Sequence, residues 1–302
     1  MAYAAPFVMH RPEPSMSTYP LRESAIVAAT TVAALSMLLT LAKAEPEGLR
    51  SIEAEGTQFK VTLMDGRMLR SLELVGAVLV IVVSGRERRL RIDAIEPDPD
   101  GPARATALSS QVFLHTLSIQ ADDGSWQNVC QPGPDGRRQA FLLAGRTRPD
   151  ATIWPAESGA FEIICTGGAQ GKCVRFGYRP WERAPEGYPS YDLYNACVRM
   201  VRADYSGDGK GTTRDGQLID LYDRFGIQKP ENDPSQEFEA GWTKDGAVCV
   251  RHVRVAENVS LEDLESLPSL RGRTGDICTE EFARARGAAI FNRSAVSKTP
   301  KR

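Results

Sequence analysis

"SYDLYNACVRMVRADY", Ser190 to Tyr205, is where the character of the chain changes. Leu193, Ala196, Cys197, Met200 and Val201 fall at i, i+3, i+4, i+7 and i+8. That spacing gives a helix one apolar stripe and turns Cys197 toward a core. The helix runs into "RADYSGDGKGTTRDG", Arg202 to Gly216, a loop rich in aspartate and glycine. Such a loop can hold a metal ion, supply catalytic carboxylates or simply turn the chain.

Upstream of the helix the pattern has the period of strands. Phe59, Val61 and Leu63 alternate with Gln58, Lys60 and Thr62, and Met64-Asp65-Gly66-Arg67 supplies a hairpin turn. Ala77 to Val83 is a continuous apolar run that predicts a strand buried on both faces. In "RERRLRIDAI", Leu90 and Ile92 face one way and Arg89, Arg91 and Asp93 the other; Glu96 to Pro102 then breaks the pattern. Further strands are predicted at Val112–Ile119, Ala140–Ala144 and Phe161–Cys165. Downstream, Ser260-Leu261-Glu262-Asp263 has the form of a capping box opening a short helix, "CVRHVRV" reads as a strand, and Cys278 to Ile290 reads as a last helix. Strands first and a mixture afterwards make the class α+β: a β-rich N-terminal half, then a mixed α/β half stabilised by disulfides.

The N-terminus addresses the compartment. Ala25 to Leu41 is uncharged and apolar, preceded by Arg22 and followed by Ala42-Lys43-Ala44, the make-up of a secretory leader cut before Glu45. Met16 is an alternative start that leaves an ordinary leader. The competing reading keeps 25–41 as an uncleaved membrane anchor. Cys130, Cys165, Cys173, Cys197, Cys249 and Cys278 all follow the leader, and none are spaced as C-x-x-C. In an oxidising compartment they read as disulfides, in a pairing that sequence does not choose. Lys and Arg total 37 against 39 Asp and Glu, and losing Arg11, Arg22, Lys43, Glu13 and Glu23 keeps the balance slightly acidic. Nothing there attracts nucleic acid or anionic lipid. After cleavage no integral membrane span is expected, and the place is periplasmic or secreted.

Counted from Asp204 as position one, the loop places Ser206 at three, Asp208 at five, Gly209 at six and Asp215 at twelve, the order of ligands in a calcium loop. Against calcium, Gly211 holds the usually apolar eighth position, and Asp215 is shorter than the bidentate glutamate preferred at twelve. The expectation is therefore no cofactor, with calcium as the alternative. Asp204, Asp208, Asp215, Asp220 and Asp223 also offer the carboxylates of a hydrolase. Nucleophilic catalysis has little support: His115 and His252 are the only histidines beyond the leader, and no serine sits in G-x-S-x-G. "TGGAQGKC", Thr166 to Cys173, fails as a phosphate loop because Thr166 stands where the first glycine belongs. Aromatics gather around the helix, Trp181 and Tyr188 among them, and such side chains either line a sugar or peptide surface or fill a core.

"FEIICTGGAQGKCVRFGYRPW", "YNACVRMVRADYSGDG", "TRDGQLIDLYDRFGIQ" and "FEAGWTKDGAVCV", in that order, resemble the ADYC domain, a bacterial exported domain of unknown function. "DGSWQNVC" is similar to the segment that often precedes it. The resemblance spans Leu117 to Val255 and departs at Ser206, where the family carries the cysteine of Ala-Asp-Tyr-Cys. It implies that this chain lacks a bridge its relatives have, or that a former partner is a free thiol. It also weakens calcium, since a thiol is a poor calcium ligand. The implied plan is a leader over 1–44, a β-rich region over 45–110, an ADYC-like domain over 111–258, and a helical extension and tail over 259–302. The family brings no activity with it; the reading of this chain is a binding or structural role in the bacterial envelope, toward a protein or glycan partner, with the aspartate hydrolase and the calcium-stabilised module as alternatives. Secreted product is expected to begin at Glu45, which N-terminal sequencing checks; product retaining 25–41 would mark the anchor instead.

Overall fold

The computed structural model describes residues 48–83, 86–99, 111–133, 135–156 and 159–296. The expected leader over 1–44, with its 25–41 run, lies outside them. β1 (Leu49–Glu55), β2 (Gln58–Leu63) and β3 (Met68–Arg70) form an antiparallel sheet in that order. Phe59, Val61 and Leu63 are buried, as the alternation requires.

A larger antiparallel sheet follows. It is built from β4 (Val78–Val83), β5 (Arg86–Pro97), β6 (Phe113–Gln120), β7 (Trp126–Asn128) and β8 (Ala140–Ala144). A two-stranded ribbon, β9 (Arg146–Thr147) and β10 (Ile153–Trp154), precedes its last strand, β11 (Phe161–Cys165). The order is β11-β8-β6-β5-β4, with β7 beside β6. The expectation of a doubly buried strand at Ala77–Val83 needs correction. β4 is an edge strand, with Leu79 buried and Val78 and Val80 half-buried. β8 holds the doubly buried place instead: Ala140 and Leu142 pack in the core under the small sheet, Phe141 and Leu143 in the core around the helix.

The second half begins with α1 (Ala169–Arg175) and α2 (Ser190–Arg202). β12 (Asp220–Asp223), β13 (Glu237–Thr243), β14 (Gly246–Val250), α3 (Leu261–Ser266), α4 (Glu280–Ala285) and β15 (Ile290–Ser294) complete it. A four-stranded antiparallel sheet of order β12-β15-β13-β14 packs on α2, whose other neighbours are α1 and the ribbon. The predicted single apolar face of α2 is therefore too narrow. Tyr194, Asn195, Val198 and Arg199 are buried as well, because protein surrounds the helix. Its polar groups are satisfied inside: Asn195 bonds both Ile153 N (2.9 Å) and Ile153 O (2.8 Å).

The Ser260 capping box forms as predicted, the hydroxyl accepting from Asp263 N and the Asp263 carboxylate from Ser260 N. The predicted Cys278–Ile290 helix is confined to Glu280–Ala285, and the described part of the expected helical extension also holds a strand. Gly287 turns the chain at φ +82°, and β15 then threads between β12 and β13. His252 stands beyond the end of β14 rather than in a strand.

The six cysteines pair as Cys130–Cys165, Cys173–Cys197 and Cys249–Cys278. No cysteine is free, so Ser206 leaves no orphaned thiol behind. The second bridge ties α1 to α2, and the third ties β14 to the segment entering α4. Among the described residues no helix is long and apolar enough to cross a membrane.

Two hydroxyls join the small sheet to the large one. Thr57 Oγ1 accepts from Phe113 N at 2.8 Å. Ser71 Oγ accepts from Phe59 N and shares a hydrogen bond with His115 Nε2, each 2.8 Å. Burial lowers the His115 imidazole to about 4 from an ordinary 6.5. Folded protein thus keeps His115 neutral where the unfolded chain already takes up a proton. Stability from this group is complete above pH ~6.5 and falls as pH drops to ~4, by ~3 kcal/mol in all. Urea titrations across that window should show the slope, and His115→Asn should flatten it.

Candidate functional site

The loop after α2 is built from the helix end outward. Ala203 ends the helix in the left-handed conformation (φ +49°), its N–H returning to Met200 O at 3.0 Å. Asp204 then points inward, fully buried. Its carboxylate accepts from Gly207 N and Gly209 N, both at 3.0 Å, and from Arg199 Nη1 at 2.5 Å. Burial pushes the Asp204 carboxyl up, while Arg199 and the Gly209 amide oppose the rise. Arg199 reaches on to the Asp150 carboxylate (2.6 Å) and to Lys244 O (3.1 Å). The glycines have a steric reason. A Cβ on Gly207 would stand 1.9 Å from Asp245 O, and one on Gly209 2.6 Å from Asp150 Cα.

Tyr205 turns the other way, into the four-stranded sheet. Its ring stacks on Trp242 at 5.2 Å, and its hydroxyl donates to Glu239 Oε1 (2.9 Å) and accepts from Arg254 N (3.0 Å). Glu239 and Arg254 are a buried ion pair with two contacts of 3.0 Å. Asn292 of β15 donates to Glu239 (2.7 Å) and accepts from Trp242 Nε1 (2.8 Å). Arg254 also donates to two carbonyls of the last helical turn, Met200 O (2.9 Å), which the Ala203 N–H shares, and Val201 O (3.2 Å). Burial opposes the charge on Glu239, but Arg254 outweighs it and holds the carboxyl below its ordinary range. The same contest on Arg254 is won by Glu239, which raises it. Burial beside Glu239 drives the Tyr205 phenol well up, so it stays protonated.

The other aspartates named from sequence do not join Asp204. Asp208 is exposed and accepts from Lys210 N, and Asp215 is exposed. Asp220 accepts from Glu231 N at 3.0 Å. Asp223 takes the Tyr178 hydroxyl (2.9 Å) and three amides, those of Phe225, Ile227 and Gln228. Ser206 lines a small pocket of about 170 Å³ with Asp208, Lys210 and Asp263. Among the described residues no group of three or more His, Cys, Asp or Glu side chains gathers as a metal set. Asp204, Asp208, Asp220 and Asp223 each accept from backbone amides at separate places, the arrangement of structural acceptors rather than of a convergent acid–base pair.

The aromatics divide. Tyr178, Tyr194, Tyr205, Tyr222 and Trp242 are core, whereas Trp181, Tyr188 and Tyr191 remain half-buried. Trp181 forms one wall of a cleft of about 850 Å³ that sequence reasoning did not locate. Glu55, Gln58 and Arg70 reach it from the small sheet, Leu72 and Phe113 complete its apolar part, and Gly56 lies under the Trp181 indole. Strand alternation marks Gln58 and Arg70 as outward-facing, but only the fold brings Trp181 over to them.

Residues 71–256 match the family model described as the ADYC domain. No curated protein and no solved structure matches the chain. The match opens at Ser71 and closes before β15, although β15 is an interior strand of the four-stranded sheet.

Glu239→Gln should strand the Arg254 charge inside the protein and lower stability by ~3–5 kcal/mol in urea unfolding. Tyr205→Phe, which removes one donor and one acceptor, should cost ~1–3 kcal/mol by the same measurement.

Proposed function

This chain belongs to the ADYC domain family, and we propose that it is an exported binding protein of the bacterial envelope whose ligand site is the Trp181 cleft. Export is supported by the 25–41 run with its basic flank and Ala-x-Ala exit, and by the pairing of every cysteine. Disulfides of this kind persist in oxidising compartments and suit a chain that must stay folded outside the cytoplasm.

The observation that carries the binding reading is the cleft itself. A half-buried tryptophan faces polar side chains across a volume in the range of ligand clefts. The conspicuous acidic loop, by contrast, has its Asp204 carboxylate engaged by Arg199 and two amides. A binding role leaves that loop to hold the scaffold while the cleft does the recognition.

A fragment screen followed by amide chemical shifts tests the proposal. Shifts are expected to cluster at Gln58, Arg70, Leu72 and Phe113 and to vanish in Trp181→Ala. Arg70→Ala, at an exposed strand position, should weaken binding without lowering the melting temperature. Shifts that cluster elsewhere, or that survive Trp181→Ala, would refute the site.

A further inference from the structure

We infer that the Trp181 cleft takes a short, uncharged oligosaccharide; this rests on the reading of the cleft as the ligand site and specifies its chemistry. One wall is apolar and aromatic, Trp181 with Phe113. The indole packs closely on the β1–β2 turn, since a Cβ on Gly56 would meet Trp181 Nε1 at 3.4 Å. Lining the cleft, an indole joins an apolar ring to a polar N–H, the combination that suits the C–H side and the hydroxyls of a pyranose.

The floor has the complementary character. Glu55 pairs with Gln58 and Lys60 with Arg70 across the small sheet, so these side chains share its outer face. Arg70 Nε donates to Glu55 Oε2 at 2.9 Å, and Lys60 Nζ lies 3.9 Å from Glu55 Oε1. Glutamate, glutamine and arginine present planar groups with acceptors and donors side by side. A sugar's neighbouring hydroxyls each donate and accept, so they fit such a row without a net charge on either partner.

Other ligand classes fit less well. Within the lining Glu55 and Glu73 stand against Arg70, and Lys60 lies beside Glu55 on the same sheet face, so the cleft has no field of one sign to hold a phosphate or a cation. A wholly apolar ligand would cover Glu55 and Arg70 without replacing their water. An extended peptide adding to the edge of β3 needs outward amides, and Arg70 N is taken by Glu73 Oε2 at 2.8 Å. The volume of about 850 Å³ has room for more than one ring.

The test is titration of the oxidised protein with maltotriose, cellotriose, chitotriose and mannotriose, beside a sulfated trisaccharide and a tripeptide, read by amide shifts and calorimetry. At least one neutral trisaccharide is expected to bind and to move the cleft amides. Trp181→Ala should weaken it by about tenfold or more, with Trp181→Phe between the two. Arg70→Met should weaken it while leaving the melting temperature unchanged. If only the sulfated sugar or the tripeptide moves the cleft amides, the saccharide assignment fails and the cleft stands as a ligand site. If neither these probes nor the fragment screen moves them, both readings fail. Neutral-sugar binding that ignores Trp181→Ala also overturns the assignment.

Discussion

Glu239 and Arg254 are both withdrawn from water, and each would be costly there without the other. Their remaining hydrogen-bonding capacity is spent on groups from separate parts of the chain: Tyr205 after α2, Asn292 on β15 and the carbonyl of Met200. The helix end, two strands and the segment after β14 are therefore fixed by one polar cluster. Hydrophobic packing alone would let a helix rotate or slide against a sheet at modest cost. A buried ion pair with directional partners admits far fewer arrangements, and a half-satisfied version is worse than none. The Ala203-Asp204-Tyr205 segment joins this cluster through Tyr205, while Asp204 anchors the loop separately to Arg199.

That division explains why the loop resembles a functional site in sequence. Aspartate, glycine and tyrosine are common in metal loops and in active sites, and the same residues serve tight turns. Here Asp204 replaces solvent for two amides and one guanidinium, and Gly207 and Gly209 are required where the chain presses on Asp245 and Asp150. Ser206, the departure from the family's tetrapeptide, sits at the rim of this arrangement rather than inside it. Its lack of sulfur is absorbed without an unpaired cysteine.

Local pattern carried much of the fold. The alternation at Phe59–Leu63 and at Leu90–Ile92, the Ser260 cap and the helix over Ser190–Arg202 were legible because short-range chemistry determines them. The misses share a physical cause. Val78 and Val80 look like core, but β4 ended at a sheet edge, and no local signal states strand order. Ile290 and Phe291 continue an apolar pattern that a helix or a strand can use, and the space between β12 and β13 chose the strand. Disulfide pairing and the Trp181 cleft were likewise beyond sequence, because both depend on which distant segments meet. Burial all round α2 could have been suspected from Tyr194 and Val198, which lie off the predicted stripe.

Under the proposed function the loop after α2 belongs to the scaffold and the cleft does the recognising. Native-state hydrogen exchange of the Gly207, Gly209 and Arg254 amides tests that division most directly, since the first two donate to Asp204 and the third to Tyr205. If the loop is scaffold, these amides exchange only through global unfolding, at the rate of the amides at the centre of α2 and β13. Rapid exchange at Gly207 and Gly209 while α2 stays protected would show a loop that opens on its own, and the Asp204 anchor would not make it part of the scaffold.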